Sequence, residues 1–81
     1  MRIDKFLKVS RILKRRALAN QACDGGRVKV NGKVVKPSYS VKPGDVVELG
    51  FNSGTLAFEI LLIKETVKKE QAESLYRIIT E

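Results

Sequence analysis

Seven Lys and Arg residues lie within the first sixteen positions of the chain, and the only acidic residue among them is Asp4. The seven cations are Arg2, Lys5, Lys8, Arg11, Lys14, Arg15 and Arg16. Ammonium and guanidinium groups bind phosphate oxygens, and the planar guanidinium also forms paired hydrogen bonds to them. These residues, together with Lys36 farther along the chain, predict a surface that binds a phosphate backbone.

The positive charge is confined to one half of the chain. Residues 1–45 hold twelve Lys and Arg against three Asp, whereas residues 46–81 hold four against six Glu. The halves therefore carry net charges of +9 and −2, which together give the formal charge of +7. A folded domain with one basic half indicates a polyanionic partner, of which a phosphate backbone is the commonest in a cell. The alternative interpretation is a solvated charged face with no ligand.

The composition argues against catalysis, metal binding and membrane insertion. The chain has no histidine and a single cysteine, Cys23, so it lacks the usual general base and the usual zinc ligands. Its carboxylates are scattered over turns and strands without the spacing of an acid/base pair or a metal cage. No apolar run reaches the ~18 residues of a membrane span. We therefore expect a cytoplasmic protein that is not an enzyme and has no cofactor, metal or small-molecule substrate.

Two short helices are predicted near the N-terminus. Ile3, Phe6, Leu7 and Ser10 have i, i+3, i+4, i+7 spacing, which predicts a helix over residues 3–10. A second helix is predicted from about Lys14 to Cys23, and its buried face is formed by Leu18, Ala19, Ala22 and Cys23. Its first turn offers free N–H groups beside Arg15 and Arg16, where we expect phosphate.

The remainder of the chain predicts a small sheet and one more helix. Asn31-Gly32 lies between two short alternating segments and favours a type I′ hairpin over residues 27–35. Further strands are predicted at 46–49 and 56–63, and a terminal helix at 67–80. The predicted fold class is α+β, a single domain of residues 1–81. Its two N-terminal helices pack on a mostly antiparallel sheet of four to five strands, with a C-terminal helix added.

The order and spacing of several short motifs resemble the alpha-L RNA-binding domain, named after ribosomal small-subunit protein four. The matching segments are Arg2-Ile3-Asp4-Lys5-Phe6-Leu7, Lys14-Arg15-Arg16-Ala17-Leu18-Ala19, Gly26-Arg27-Val28-Lys29-Val30-Asn31-Gly32, Lys36-Pro37-Ser38 and Gly44-Asp45-Val46-Val47. The resemblance covers residues 2–49, and residues 50–81 complete the sheet and add the last helix. Many members of the family have Ser or Thr at the position of Arg15, so a hydroxyl contact to phosphate is not expected here.

The resemblance implies a short, stand-alone bacterial member that binds rRNA and tRNA. Such members act on large ribosomal subunits that still hold peptidyl-tRNA. One branch supports ribosome quality control, in which a partner factor adds alanine to the stranded nascent chain. A second, heat-shock branch recycles ribosomes, and its long basic C-terminal extension is not found in this sequence. The expected partners are therefore large-subunit rRNA, peptidyl-tRNA and a tailing factor, bound by a monomer.

Two further functional classes remain as alternatives. One is a detached enzyme module or the RNA-binding accessory subunit of an RNA-modifying enzyme. The other is an interaction protein for an anionic membrane or another polyanion, although no predicted helix has the bulky aromatic face of peripheral anchors.

Several individual residues admit more than one interpretation, and Cys23 has one expected role. Lys29 and Lys33 extend the RNA footprint or protect a strand edge, and Tyr39 stacks on a base or lies in a loop without a ligand. Asp4 pairs with a neighbouring cation, caps its helix or accepts from RNA. Cys23 is expected to be a small core side chain.

Overall fold

The computed structural model describes residues 1–79. Two α-helices come first, α1 over Ile3–Val9 and α2 over Arg16–Asp24. Five strands follow in the order β1 (Val28–Val30), β2 (Lys33–Val34), β3 (Val46–Phe51), β4 (Gly54–Ile60) and β5 (Tyr76–Ile78). A 3₁₀ helix, Lys69–Leu75, precedes β5. The α+β fold class predicted from the sequence is confirmed.

All neighbouring strands of the sheet are antiparallel, in the order β2-β1-β3-β4-β5. The β1–β2 turn has the predicted geometry, since Asn31 and Gly32 both adopt positive φ, 52° and 85°. Strand β4 ends at Ile60, so Leu61 to Ile63 lie beyond the strand that the sequence predicted. The sheet places β2 at one edge, next to the loop that carries Lys36.

The core lies between one face of the sheet and the helices. Phe6 of α1 stacks on Phe58 of β4 with ring centroids 6.2 Å apart, which joins the N-terminal helix to the middle of the sheet. Ala19, Ala22 and Cys23 of α2 are buried in the same core. Apolar burial of this kind is the main stabilising contribution to a small domain.

One residue of the predicted core is exposed. Leu18 is 42% exposed, although its position in the sequence placed it on the buried face of α2. The helix begins at Arg16 rather than Lys14, so Leu18 lies in the first turn, at the margin of the stripe formed by Ala19, Ala22 and Cys23. The sequence-based prediction was wrong for this side chain.

The C-terminal helical segment is shorter than predicted and of a different type. Ala72 and Leu75 are buried as their spacing predicts, but their backbone forms a 3₁₀ helix. Residues 76–78 are a strand instead of a helix, because they pair with Phe58, Glu59 and Ile60 at the open edge of β4. Thr80, which ended the predicted helix, lies outside the described residues.

Candidate nucleic-acid interface

Asp4 occupies the centre of the predicted cationic region, and its side chain is 1% exposed. Arg2 donates from Nε to Oδ1 at 3.1 Å and from Nη2 to Oδ2 at 3.0 Å, which is a bidentate pair. Arg16 of α2 reaches the same carboxylate, with Nε 3.3 Å from Oδ2. A buried carboxylate thus fixes two guanidiniums from different elements.

Two further donors complete the shell around Asp4. The backbone N–H of Lys5 donates to Oδ1 at 2.7 Å, and Asn20 Nδ2 donates to Oδ2 at 2.9 Å. Burial by itself raises the pKa of the Asp4 carboxyl, but the contacts with Arg16, Arg2, Asn20 and the Lys5 amide outweigh burial and lower that pKa. Asp4 therefore remains charged at neutral pH. The pairing with Arg2 that the sequence left open is present.

Arg2 and Arg16 have donors left over after this pairing. Their side chains are 50% and 43% exposed, although both contact the buried carboxylate. A guanidinium has five N–H donors, so each arginine retains donors that face solvent. The arrangement presents two oriented guanidiniums to an external phosphate at a reduced entropic cost.

The loop that carries Lys36 is fixed to the start of α1. Tyr39 O accepts from the Ile3 N–H at 2.8 Å, and Pro37 O accepts from the Asp4 N–H at 3.3 Å. These bonds satisfy amides that a helix start otherwise leaves unpaired. They also bring Lys36 to the groove that contains Arg2.

This first groove, the Arg2–Lys36 groove, runs between α2 and the loop after β2. Its lining includes Arg2, Asn20, Val35, Lys36 and Ser38. The groove joins the predicted site residue Lys36 to Arg2 and Asn20 of the Asp4 shell, which lie 34 and 16 positions away in sequence. The tertiary fold therefore brings together the two separate cationic segments.

A second groove, the connector groove, lies between the α1–α2 connector and the C-terminal segment. It is lined by Lys8, Arg11 and Lys14 of the predicted site and by Glu65 and Lys69 of the C-terminal half. Lys5 Nζ lies 2.9 Å from Glu65 Oε2, and that contact lowers the pKa of the glutamate. Lys5 is thus partly neutralised, whereas Lys8, Arg11 and Lys14 make no ion pair among residues 1–79.

Arg11 adopts a left-handed backbone conformation, with φ 63°. Its N–H donates to Lys8 O at 3.0 Å, which ends α1. Glycine is the residue that usually takes this conformation, because other L-residues pay roughly 1–2 kcal/mol in steric strain there. A strained, exposed arginine in the connector groove is consistent with a role for its charge.

Arg15 is exposed at the start of α2, where it is the residue before the first helical position. The eight predicted site residues are thus arranged around α1. We refer to them as the α1 basic cluster: Arg2, Lys5, Lys8, Arg11, Lys14, Arg15, Arg16 and Lys36. Arg2 and Lys36 line one groove and Lys8, Arg11 and Lys14 line the other, whereas Lys5, Arg15 and Arg16 line neither.

Two residues of the candidate interface were not identified from the sequence: Asn20, which contacts Asp4, and Lys69, which lines the connector groove. Asn20 joins α2 to Asp4 and also donates to Arg16 O at 3.1 Å. Its i, i+4 spacing from Arg16 was an available signal, since it puts both side chains on the same helix face. Lys69 in the connector groove had no sequence signal, because its position depends on how the C-terminal segment packs.

A second buried carboxylate, Asp45, fixes the hairpin, and among residues 1–79 its hydrogen bonds and ion pair are with Asn31 and Lys42 and not with the α1 basic cluster. Asn31 Nδ2 donates to Asp45 Oδ1 at 3.1 Å, and Asn31 Oδ1 accepts from the Val46 N–H at 3.0 Å. Burial raises the pKa of Asp45, whereas bonds from the Lys42 N–H, Asn31 and the Lys42 ammonium lower it below its usual value. The contacts of Asp45 with Asn31 and the Lys42 N–H hold the β1–β2 turn against the start of β3.

The remaining chemistry-bearing groups do not form a site. Cys23 is buried, and burial together with the nearby Asp4 and Asp24 charges raises its pKa to about 11, which makes it a poor nucleophile. Within residues 1–79 no three His, Cys, Asp or Glu side chains are grouped so as to hold a metal. None of the helices in the same range has the length and apolar character to cross a membrane.

Comparison with known proteins identifies the family of this chain. The family model of the S4 domain matches residues 1–47. The chain is 50% identical over 78 residues to the "RQC P-site tRNA stabilizing factor" of Halalkalibacterium halodurans, covering 96% of this chain and 89% of the relative. It is 46% identical over 81 residues to the Bacillus subtilis protein of the same name, covering 100% of this chain and 94% of the relative.

A solved structure has the same fold over nearly the whole chain. The trimeric structure of heat shock protein 15 from Vibrio cholerae superimposes with a TM-score of 0.90 at 34% identity. The match covers 98% of this chain and 81% of that one. The similarity therefore extends beyond the matched S4 region to the C-terminal 3₁₀ helix and β5.

Proposed function

Because this chain belongs to the S4 domain family, we propose that it binds RNA through the α1 basic cluster and has no catalytic activity. Its target is a large ribosomal subunit that still holds peptidyl-tRNA, and its role is to stabilise that tRNA during ribosome quality control. The relatives from H. halodurans and B. subtilis, which match over nearly their full length, are named for P-site tRNA stabilisation. The support for the RNA-contacting surface is the carboxylate of Asp4, which orients Arg2 and Arg16.

The physical basis of the proposal is electrostatic and geometric. Cys23 and Asp24 line the Arg2–Lys36 groove, but the pKa of the Cys23 thiol is raised to about 11, so the thiol is a poor nucleophile and the cluster has the chemistry of binding. Two half-exposed guanidiniums and several ammonium groups suit phosphate oxygens of folded RNA, which is recognised by shape and backbone more than by base sequence. Each phosphate contact adds a term of about 0.7–0.9 to the salt dependence of binding.

Co-sedimentation with purified large subunits that carry peptidyl-tRNA tests the proposal. We expect the parent protein to sediment with these particles, and Arg16→Ala to weaken binding and lower the salt slope by about one unit. The matched control is Arg27→Ala, which removes the same charge from an exposed arginine that lines a separate recess beside Glu48. Equal losses in both variants would mean that net charge, not the α1 basic cluster, determines binding.

The tRNA requirement is tested with the same particles. Large subunits stripped of tRNA should bind the parent more weakly if the protein contacts or stabilises tRNA. Equal affinity for both particles would reduce the function to rRNA binding. Support of alanine tailing, the finer part of the proposal, is tested by adding the protein to a reconstituted tailing reaction and measuring alanine incorporation.

A recycling function is the second candidate, favoured by the structural similarity to heat shock protein 15. The two functions differ in their consequence for the nascent chain. A tailing cofactor increases alanine incorporation at constant tRNA occupancy, whereas a recycling factor lowers the amount of peptidyl-tRNA on the particle. Measurement of both quantities in one reaction distinguishes them.

A further inference from the structure

A shallow recess lies at the free edge of β2, next to the Arg2–Lys36 groove, with which it shares Lys36. It is lined by Val30, Lys33, Val34, Lys36, Ser38 and Tyr39. Val34 is 57% exposed and Tyr39 is 39% exposed, which leaves an aliphatic and an aromatic surface in contact with solvent. The recess thus has an apolar floor at the edge of the sheet.

The charged groups of this recess are all positive. Lys33 and Lys36 line it, no carboxylate does, and neither lysine forms an ion pair among residues 1–79. An apolar floor with two unpaired ammonium groups suits a ligand that is both flat and anionic. An unstacked nucleotide combines these properties, because its base offers a π-face and its phosphate a negative charge.

The recess is continuous with the Arg2–Lys36 groove. Val34, Lys36 and Ser38 line both depressions. An RNA strand whose phosphate contacts Arg2 or Arg16 can therefore extend along the loop after β2 to the edge of the sheet. Charge and continuity together favour RNA over an apolar protein segment as the occupant.

The backbone of Tyr39 is fixed, whereas its ring is not buried. The Tyr39 N–H donates to Lys36 O at 3.0 Å, and Tyr39 O accepts from the Ile3 N–H at 2.8 Å. Both bonds are made by main-chain atoms, so a side-chain substitution leaves them intact. Because the backbone of Tyr39 is already fixed, little conformational entropy is lost when a base stacks on the Tyr39 ring.

We propose that this recess binds one unpaired RNA nucleotide, with its base stacked on Tyr39 and its phosphate near Lys33 and Lys36. The inference rests on the proposed function, because the nucleotide belongs to the RNA that the α1 basic cluster contacts. It adds a base-contacting subsite to a surface that otherwise contacts phosphates.

The affinity for large subunits carrying peptidyl-tRNA, measured at one fixed salt concentration, tests the stacking residue. Tyr39→Ala and Tyr39→Leu should each weaken binding by about 5- to 150-fold, the range expected for loss of one base–aromatic stack. Tyr39→Phe keeps the ring and should bind within about twofold of the parent. Equal loss in Tyr39→Phe and Tyr39→Ala would overturn stacking, because only the hydroxyl would then matter.

The matched control is Phe51→Ala. Phe51 is an aromatic residue of similar exposure, 42%, at the far end of β3. We expect no loss in Phe51→Ala. Equal loss in the two alanine variants would show that exposed aromatic area in general, not this recess, affects binding. Denaturation midpoints of all four variants should match that of the parent, since no buried side chain is changed.

Two outcomes separate this inference from the proposed function. If the parent itself does not bind large subunits, the proposed function fails and the subsite fails with it. If the parent binds and Tyr39→Ala binds equally well, only the subsite is wrong.

Photocrosslinking identifies the occupant. Benzoylphenylalanine placed at position 39 should yield an adduct with large subunits that ribonuclease removes. An adduct with a ribosomal protein would assign the recess to a protein partner and overturn the inference.

Discussion

Asp4 and Asn20 are sixteen positions apart, and Asn20 Nδ2 donates to Asp4 Oδ2 at 2.9 Å. The bond joins α1 to α2 beside the contact between Arg16 and the same carboxylate oxygen. Asp4 therefore restricts the side chains of Arg2 and Arg16 to defined positions. Loss of that acid is expected to affect both stability and RNA binding.

Asp4→Asn should lower the free energy of unfolding by about 1–3 kcal/mol, the cost of leaving buried or charged donors without an acceptor. The variant removes a negative charge, so a simple electrostatic argument predicts tighter RNA binding. Loss of the orientation of Arg2 and Arg16 predicts weaker binding. We expect the orientation effect to exceed the charge effect. Urea denaturation and co-sedimentation measure the two quantities.

The control for this variant is Asp24→Asn, which removes an exposed carboxylate at the end of α2. An exposed substitution of this kind should change stability by no more than about 0.5 kcal/mol. Equal destabilisation in both variants would contradict the role assigned to the Asp4 contacts.

Stability should fall in acid. The pKa values of Asp4 and Asp45 are lowered in the folded protein, so both groups bind protons more readily in the unfolded chain. Their stabilising contribution is complete above the unfolded Asp pKa of about 3.9 and is lost as the pH falls through the folded pKa values. Urea denaturation between neutral pH and pH ~2 should show this loss, and Asp4→Asn or Asp45→Asn should each flatten the profile. An unchanged profile in both variants would assign the acid sensitivity to other groups.

Arg11→Gly should stabilise the fold and weaken RNA binding. Glycine removes the left-handed strain of roughly 1–2 kcal/mol, although its freer unfolded chain offsets about 0.4–1 kcal/mol of the gain. Arg11→Ala removes the same charge but keeps φ at 63°, so it should weaken binding without the gain in stability. Thermal unfolding of the pair measures the strain. Equal melting temperatures for Arg11→Gly and Arg11→Ala would contradict it.

Asn31→Ala should cost about 1–3 kcal/mol, because it introduces left-handed strain and removes the bonds to Asp45 and the Val46 N–H. Asn31→Gly loses the same bonds but accepts φ 52°, so its cost should be about half as large. Urea denaturation of the two variants separates the conformational from the hydrogen-bonding contribution. The hairpin prediction would be contradicted if Asn31→Gly were the less stable variant.

Local features of the sequence determined the two N-terminal helices and the hairpin, and they define a cationic segment whose role in RNA binding stays a prediction. The spacing of Ile3, Phe6 and Leu7 defines an apolar face within one helix, and Asn31-Gly32 supplies positive φ without help from distant residues. The resemblance extended this to the family, because its motifs occur in order along the chain. These properties depend on neighbours in sequence, so a single sequence contains them.

Only the tertiary structure decided which residues distant in sequence come into contact. The spacing of Ala72, Leu75, Tyr76 and Ile79 fits a helix, yet the open edge of β4 offers hydrogen bonds that make residues 76–78 a strand. Likewise, the sequence placed Asp4 among cations but did not show that Asn20 from α2 would reach it. Backbone pairing and burial of a carboxylate depend on contacts between residues that are distant in sequence. Backbone pairing between strands and the contacts of a buried carboxylate contribute to the free energy of folding only when the sheet and the helices pack together.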